Sequence, residues 1–576
     1  MDTRRLILVV IFSFSLVMLW DAWQKYNHPP VPVQATASSV TANGAVPGPS
    51  ASSSGSAVAA AVPTSVAAVT TATAEVIHVK TDLFVADIST QGGDIVGLEL
   101  NHYKAVEDKD KPFSLFEAKH QYVAQSGLIG DGLPNHKTVF SVANGSRELG
   151  LDAKTVQLRL EAPVENGVKV AKIYTFTRGS YLINVAYEID NGSQQSIAPE
   201  AYYHLQRDAE APAGESRAVS TTTGPAVYTE QDKYQAVNFK DLEKNKAKFD
   251  VKADNGWVAM VQHYFVSAWI PEGKVQRTYY AEKLDAGSAN SPVRAGLRLI
   301  LPEAEAGAKT SNSISLYAGP QIQTTLEQLS KPVAEGGIGA QGLPLVVDYG
   351  WLKIVAAPIF WCLDFIHGFV GNWGWAIVLL TIGIKLVFFP LSAASYKSMA
   401  KMKTVTPRMT ALRERYGDDK QKLNVEMMNL YKTEKINPLG GCLPIVIQIP
   451  VFIALYRALL GAVEMRDAPW ILWIKDLSAP DSLFGVIPVL NMPIGPLPII
   501  MMATMLIQTR LNPKPPDPIQ AKITTFMPLI FGVMFFSFPS GLVLYWVVNN
   551  ILSIAQQWQI TRMIGSGGKA ANDAKA

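Results

Sequence analysis

Apolar and polar positions follow two different patterns along the chain. From Val76 onward they alternate in short runs: Val156-Gln157-Leu158-Arg159-Leu160-Glu161, then Val168 to Phe176, then Tyr181 to Ile189 beyond a turn at Arg178-Gly179-Ser180. A period of two puts alternate side chains on one face, so these runs predict half-buried strands. Glycine and asparagine punctuate them, as in Gln91-Gly92-Gly93 and Asp190-Asn191-Gly192. Residues 76–340 are therefore expected to form a large antiparallel β-sandwich. From residue 349 long apolar runs take over, and the expectation changes to a polytopic α-helical membrane protein.

Residues 349–370 are rich in Trp, Phe and Ile but carry Lys353, Asp364 and His367, which suits an amphipathic helix lying in the membrane interface. Residues 371–562 form the membrane core. Its first span runs from Trp375 to about Leu391, the next from Leu443 to Val463, and a proline-rich one ends near Leu506. The last apolar run, Ile523 to Ile560, is 38 residues long, and one span needs only about 20. Phe538-Pro539-Ser540-Gly541 splits it into two. Between the first two core spans lies a polar segment, 396–436, with ten Lys/Arg and five acids, net +5. Gly417 followed by Asp418 and Asp419 reads as a helix stop and an N-cap, so the segment is a helical hairpin.

Charge orients these elements. Arg4 and Arg5 precede an apolar run, Leu6 to Trp20, that no small-x-small cleavage site follows closely. This favours an uncleaved anchor (1–28) over a signal peptide and puts the N-terminus in the cytoplasm. Residues 29–75, almost entirely Pro, Val, Ala, Ser, Thr and Gly, read as a flexible linker. The basic hairpin is expected in the cytoplasm, and the acidic loop from Glu464 to Asp481 on the far side. Arg562, Lys569 and Lys575 place the tail, 563–576, in the cytoplasm. Six transmembrane helices with both termini inside satisfy all these signs, and leave the β domain outside the cytoplasm.

Composition removes several function classes. The eight histidines lack ligand spacing, so no metal site is expected. The two cysteines, Cys362 and Cys442, lie in apolar stretches and provide no disulfide framework. No phosphate loop or nucleophile motif occurs, so neither an enzyme nor a cofactor is indicated, and nothing points to nucleic-acid specificity.

Lys385 is the candidate for chemistry. It stands 12 residues from Trp373 and 12 from Lys397, about 18 Å from each along a helix. A charge at that depth costs a few kcal/mol and usually faces a polar cavity. Position alone fits equally well a cationic site and a lysine snorkelling to the surface. Thr381, one turn away, and the intramembrane Gln448, Thr524, Thr525, Asn549 and Asn550 provide polar company, while no span offers an acidic partner. A hydrated groove follows. On the hairpin, Lys401, Lys403, Arg408, Arg413 and Arg415 form a basic face suited to ribosome, lipid headgroups or nascent chain.

Four motifs carry a family resemblance: Asn437-Pro438-Leu439-Gly440-Gly441-Cys442, Asp476-Leu477-Ser478, Phe526-Met527-Pro528 and Phe538-Pro539-Ser540-Gly541-Leu542-Val543-Leu544-Tyr545-Trp546. They resemble the YidC/Oxa/Alb insertases, and the anchor with its β domain resembles the Gram-negative type, whose β domain is periplasmic. The resemblance implies a bacterial inner-membrane insertase and chaperone for newly made membrane proteins, acting alone or beside the Sec translocon, with the ribosome as a further candidate partner. It implies a five-helix groove open to cytoplasm and lipid, with Tyr545 and Trp546 among its residues. Where the family usually has arginine, this chain has Lys385. The alternatives are a secondary transporter with a cationic site and a membrane-anchored β-domain enzyme or sugar-binding module.

Overall fold

The computed structural model describes residues 74–212, 223–237, 239, 242, 252–284, 291–349, 352–417, 419–434, 443–487, 492–512 and 518–573. The anchor, nearly all of the linker, and the Asn437–Cys442 motif lie outside them. The chain forms two compact units that divide between Asp348 and Tyr349.

The first unit is a β-sandwich of two nine-stranded sheets. One sheet runs, in hydrogen-bonded order, Val76–Lys80, Phe84–Ser89, Ile95–Lys104, Val123–Ile129, Glu200–Arg207, Val293–Ile300, Arg277–Lys283 and Lys252–Ala253, with Pro112–Phe116 added onto Ile95–Lys104. The other runs Lys233–Ala236, Gly224–Thr229, Trp257–Gln262, Phe265–Pro271, Lys309–Pro320, Leu182–Asn191, Val168–Thr177, Thr155–Glu161 and Ser141–Val142. Strand pairing is antiparallel throughout. Aromatic rings of the two sheets meet in the core, Tyr203 against Trp269 at 5.2 Å and Tyr187 against Tyr203 at 6.4 Å.

The expected alternation appears on Thr155–Glu161, where every second residue is buried. Trp257–Gln262 and Phe265–Pro271 are buried at every position. Covering both faces of a strand erases the period-two signal, so these central strands were not legible as alternating runs. The turn after Val168–Thr177 depends on Gly179, whose φ of +70° suits glycine.

The second unit contains helices that follow α1 (Gln323–Ser330), the short helix near the end of the sandwich: α2 (Lys353–Val370), α3 (Trp373–Val387), α4 (Phe389–Tyr416), α5 (Lys420–Thr433), α6 (Leu443–Gly461), α7 (Pro496–Leu511), α8 (Pro518–Phe535) and α9 (Ser540–Asp573). α9 is central and packs on α3, α4, α6 and α7, while α8 packs on α7. Among the described residues α2 alone has the length and mean hydropathy (1.5) of a membrane span, and α3 with α4 does so as a pair bent by 67°. The bend falls where Phe388 caps α3 and Pro390 enters the first turn of α4. Proline has no N–H to continue the ladder. The expected span from Trp375 to Leu391 is thus broken near its end, and the first hairpin helix starts at the break.

α2 buries Ala356, Phe360 and Leu363 and exposes Ile354, Trp361, Phe365 and Phe369. It packs against α3 and α6. The expected hairpin is α4 and α5, with Asp419 capping α5 by accepting from the Lys422 N–H at 3.0 Å. The expected split of the last apolar run falls between the end of α8 at Phe535 and the start of α9 at Ser540.

Candidate functional site

α3 is an apolar helix with one cation. Asn372 starts it, accepting from the Trp375 N–H at 3.1 Å and donating to the Pro469 carbonyl at 3.1 Å. Lys385 occupies its last turn, half-buried. The Lys385 Nζ donates to Ser553 Oγ of α9 at 2.8 Å, and Ser553 Oγ donates on to the Asn549 carbonyl at 2.7 Å. The Tyr396 side chain lies beside Ser553 as well. Lysine carries three donors. The described residues satisfy one of them by a hydrogen bond, and the remainder face a notch.

Lys385, Ser392, Gln448, Tyr545 and Asn549 supply the polar lining of that notch, and Ile384, Phe388, Leu391 and Val451 the apolar lining. Its volume is about 30 Å³, room for roughly one or two waters. Gln448 and Tyr545 face each other in that lining. None of the lining residues is acidic. The arrangement can offer an ammonium, an amide pair and a phenol to one polar guest group within an apolar wall.

Of the residues expected to line a groove, Lys385, Gln448, Tyr545 and Asn549 lie together around this notch, and four others do not. Thr381 is buried and donates to the Ile377 carbonyl one turn back, at 2.6 Å. Thr525 donates to the Ala521 carbonyl at 2.8 Å and is exposed on α8, with Thr524 beside it. In both bonded threonines the i−4 carbonyl takes the hydroxyl that a guest would need. Trp546 packs its ring on Phe452 at 5.0 Å and Phe535 at 5.4 Å. Ser553 and Tyr396 were missed. The available signal was the spacing of four along Asn549, Ser553 and Gln557, which puts three polar side chains on one face of α9.

The hairpin residues divide similarly. Arg408 pairs with Glu434 at 2.7 Å, tying α4 to the end of α5. The Arg415 guanidinium lies 5.5 Å from the Tyr416 ring centre. Lys403 faces a separate cavity at the end of α9, while Lys401 and Arg413 are elsewhere on α4. Met409 is buried and Met428 exposed.

Two of the sequence motifs meet. Asp476 Oδ1 accepts from Ser478 N at 2.9 Å, Ser478 Oγ at 2.7 Å and Asp467 N at 3.2 Å, fixing a tight loop. That loop presents the Leu477 and Ala479 carbonyls to the start of α9, where Gly541 N and Ser540 N donate to them at 2.8 Å each. These carbonyls satisfy N–H groups that a helix start otherwise leaves without partners.

The β-sandwich carries its own buried charges. Lys172 and Asp94 lie 3.9 Å apart, both almost fully buried. Burial holds the Asp94 carboxyl up at about 6, against the opposing pull of Lys172, and pushes the Lys172 amine down to about 8. Among the described residues, His120, Asp208 and Glu210 could hold a cation, with ligand atoms within 4.8 Å of one another. His120 Nδ1 hydrogen-bonds to Asp208 at 3.2 Å there. The fold assembles this group from residues too far apart in sequence for ligand spacing to register.

A large two-sheet β domain, followed by apolar helices that enclose a lysine, defines a membrane protein with a substantial domain outside the lipid. Residues 76–362 match the family described as the YidC periplasmic domain, and residues 365–567 that described as the 60Kd inner membrane protein. The membrane protein insertase YidC of Dechloromonas aromatica (strain RCB) is 60% identical over 576 residues, covering 100% of both chains. That of Aromatoleum aromaticum is 54% identical over 577 residues, again covering 100% of both. A crystal structure of an active YidC insertase with its first transmembrane domain resolved aligns with 83% of this chain and 91% of its own, at 18% identity and a TM-score of 0.39. The chain belongs to the YidC/Oxa/Alb family of membrane protein insertases. Such insertases are not enzymes, and nothing in the full-length match supports a secondary transporter.

Proposed function

We propose that this inner-membrane insertase receives the polar end of a nascent membrane protein at the Lys385 notch and releases its apolar segment into lipid along α6 and α8. The observation that carries this is the Lys385 ammonium, with one hydrogen bond to the described residues and no acid in its lining. A charge so placed gains by taking a guest carboxylate, carbonyl or water-borne polar group. Gln448, Tyr545 and Asn549 extend the polar surface, while Phe452, Tyr456, Phe535, Phe538 and Trp546 form an aromatic wall beside it. Desolvation of the guest, local bilayer thinning and the membrane potential provide the work without nucleotide hydrolysis.

In this reading residues 1–28 are the anchor, 29–75 the linker, 76–340 the periplasmic β-sandwich, 349–370 an interfacial helix, 371–562 the insertase core with its hairpin at 396–436, and 563–576 the tail. There are six spans, and both termini are cytoplasmic. The positive hairpin and tail and the acidic Glu464–Asp481 loop support this orientation. The groove opens to cytoplasm and lipid. The Sec translocon is a partner for part of the substrate set, and the hairpin's Lys401, Lys403, Arg408, Arg413 and Arg415 meet ribosome, lipid or nascent chain.

Depletion of the protein, with insertion of a small single- or double-spanning reporter as readout, tests the function. Insertion is expected to fail. Normal insertion in depleted cells would overturn the reading.

A further inference from the structure

In the β-sandwich three carboxylates converge on one imidazole. His120 ends a single turn of 3₁₀ helix, Ala118–His120, between the strands Pro112–Phe116 and Val123–Ile129. Gln121 N and Tyr122 N close the turn by donating to the Ala118 and Glu117 carbonyls at 3.0 Å each. Asp208 and Glu210 follow the strand Glu200–Arg207, which pairs with Val123–Ile129. Asp208 N donates to the His120 carbonyl at 3.0 Å, Glu210 N to Asp208 Oδ1 at 3.2 Å, and the Arg207 guanidinium to the Glu210 main-chain carbonyl at 3.0 Å. The main chain thus holds the two segments together. His120 Nδ1 lies 3.2 Å from Asp208 Oδ1 and 3.9 Å from Glu210 Oε2, while its Nε2 lies 3.6 Å from Glu117 Oε1. The His120 and Asp208 side chains are 8% and 7% exposed, and Glu210, at 54%, opens the cluster to solvent.

We propose that His120 Nδ1, Asp208 and Glu210 bind a divalent transition-metal cation of the zinc type, with a fourth position left to water on the Glu210 side. Buried charge needs compensation. Among the described residues no lysine or arginine pairs with the Glu117, Asp208 or Glu210 carboxylate, and each of the three meets His120 instead. A proton on Nδ1 would provide a single donor, and a charge-assisted bond of that kind shortens to about 2.7–2.9 Å. The spacings here are longer. They bracket the edge of a metal polyhedron, since a cation about 2.0–2.2 Å from each ligand sets tetrahedral neighbours about 3.4 Å apart. One imidazole with two carboxylates suits Zn²⁺ better than Ca²⁺ or Mg²⁺, which prefer oxygen alone. Glu117 stands behind the ring as the partner that holds a proton on Nε2 and leaves the Nδ1 lone pair for the metal. The cation locks the turn at His120 to the end of the neighbouring strand. This site belongs to the sandwich alone and is independent of the Lys385 notch.

Calorimetric titration of the purified, chelator-stripped full-length chain with ZnCl₂, CaCl₂ or MgCl₂ tests the assignment. A Zn²⁺ site is expected at one per chain, with Ca²⁺ and Mg²⁺ binding far more weakly. Glu117→Gln should weaken Zn²⁺ by about 10- to 100-fold, and Asp208→Asn and Glu210→Gln at least as much. Glu210 is exposed, so its variant tests the site even where Asp208→Asn fails to fold. His78→Gln removes an exposed histidine that faces Asp87 alone and should change nothing. Saturation with Zn²⁺ should slow hydrogen exchange in peptides covering residues 117–123 and 207–212 of the wild-type chain and not of Glu210→Gln. Zn²⁺ uptake that Glu210→Gln leaves intact, an equal loss in His78→Gln, or equal affinity for Ca²⁺ or Mg²⁺ would mean an adventitious ion only and overturn the proposal. So would the absence of Zn²⁺ uptake, which would leave a proton as the compensating charge.

Discussion

Lys385 of α3 and Ser553 of α9 stand 168 positions apart in sequence and 2.8 Å apart in space. This bond fixes where the ammonium points, since a lysine stem is otherwise free to swing toward either surface. It also joins α3 to the helix that organises the bundle. Position alone left Lys385 divided between a site and a snorkelling residue. A bond to a buried serine on a neighbouring helix favours the site.

The charge and the donor geometry can be separated by mutation. Lys385→Arg keeps the charge and is expected to retain insertion of every reporter. Lys385→Ala is expected to impair at least some, because a hydrogen bond involving a charged group contributes about 1.5–3 kcal/mol, or roughly tenfold or more in occupancy. Ser553→Ala keeps the ammonium but loosens its aim, and is expected to fall between them. In vivo insertion of a reporter panel is the measurement, with expression level as control. Full activity of Lys385→Ala would remove the cationic notch from the mechanism.

What could be read from the sequence was whatever is local or costly. Strand alternation, the turn at Gly179, the Asp419 cap and the break before Ser540 each depend on a few neighbouring residues, and all appear. Lys385 was visible because a charge in an apolar run is expensive. Ser553 and Tyr396 were not, because neither is unusual in a helix and only the tertiary fold brings them to Lys385. Thr381 and Thr525 were grouped with the site because composition cannot tell a free hydroxyl from one already donating to its own helix.

The start of α3 depends on a close approach. A Cβ added at Gly374 would lie 2.1 Å from the Cδ1 of Trp470, so Gly374→Ala forces the indole to move. Overpacking of this kind costs about 1–3 kcal/mol. Thermal unfolding of the purified chain should show the loss. Trp470→Phe, which shortens the ring, should recover part of it in the double variant, giving a non-additive cycle. Additive effects would mean that the two do not compete for the same space.

The loop that receives α9 depends on one carboxylate. Asp476 accepts three hydrogen bonds, and its loss leaves the Leu477 and Ala479 carbonyls poorly placed for Gly541 and Ser540. Asp476→Ala is expected to destabilise the unit by about 1–3 kcal/mol and to increase hydrogen exchange in the first turn of α9. Asp476→Asn keeps an acceptor oxygen and should be milder. If exchange rises only within residues 464–481, the loop does not hold the helix start.

The β-sandwich has a pH dependence of predictable sign. Asp94 titrates near 6 in the fold, raised from 3.8 by burial. Between those values the native state binds a proton that the unfolded chain releases, so stability from this group falls as pH rises. The decline is on the order of 3 kcal/mol at most, complete above about pH 6. Lys172, pushed down to about 8, acts in the opposite sense only at higher pH, as the unfolded amine holds its proton up to 10.5. Asp94→Asn abolishes the acidic limb. Its stability relative to wild type should therefore rise from pH 4 to pH 7 and then level off. Hydrogen exchange of peptides covering residues 84–104 in the full chain, normalised to intrinsic rates at each pH, reports this difference. A difference that stays flat across the window, or falls, would show that Asp94 carries its charge in the fold at pH 4 and that Lys172 compensates its burial.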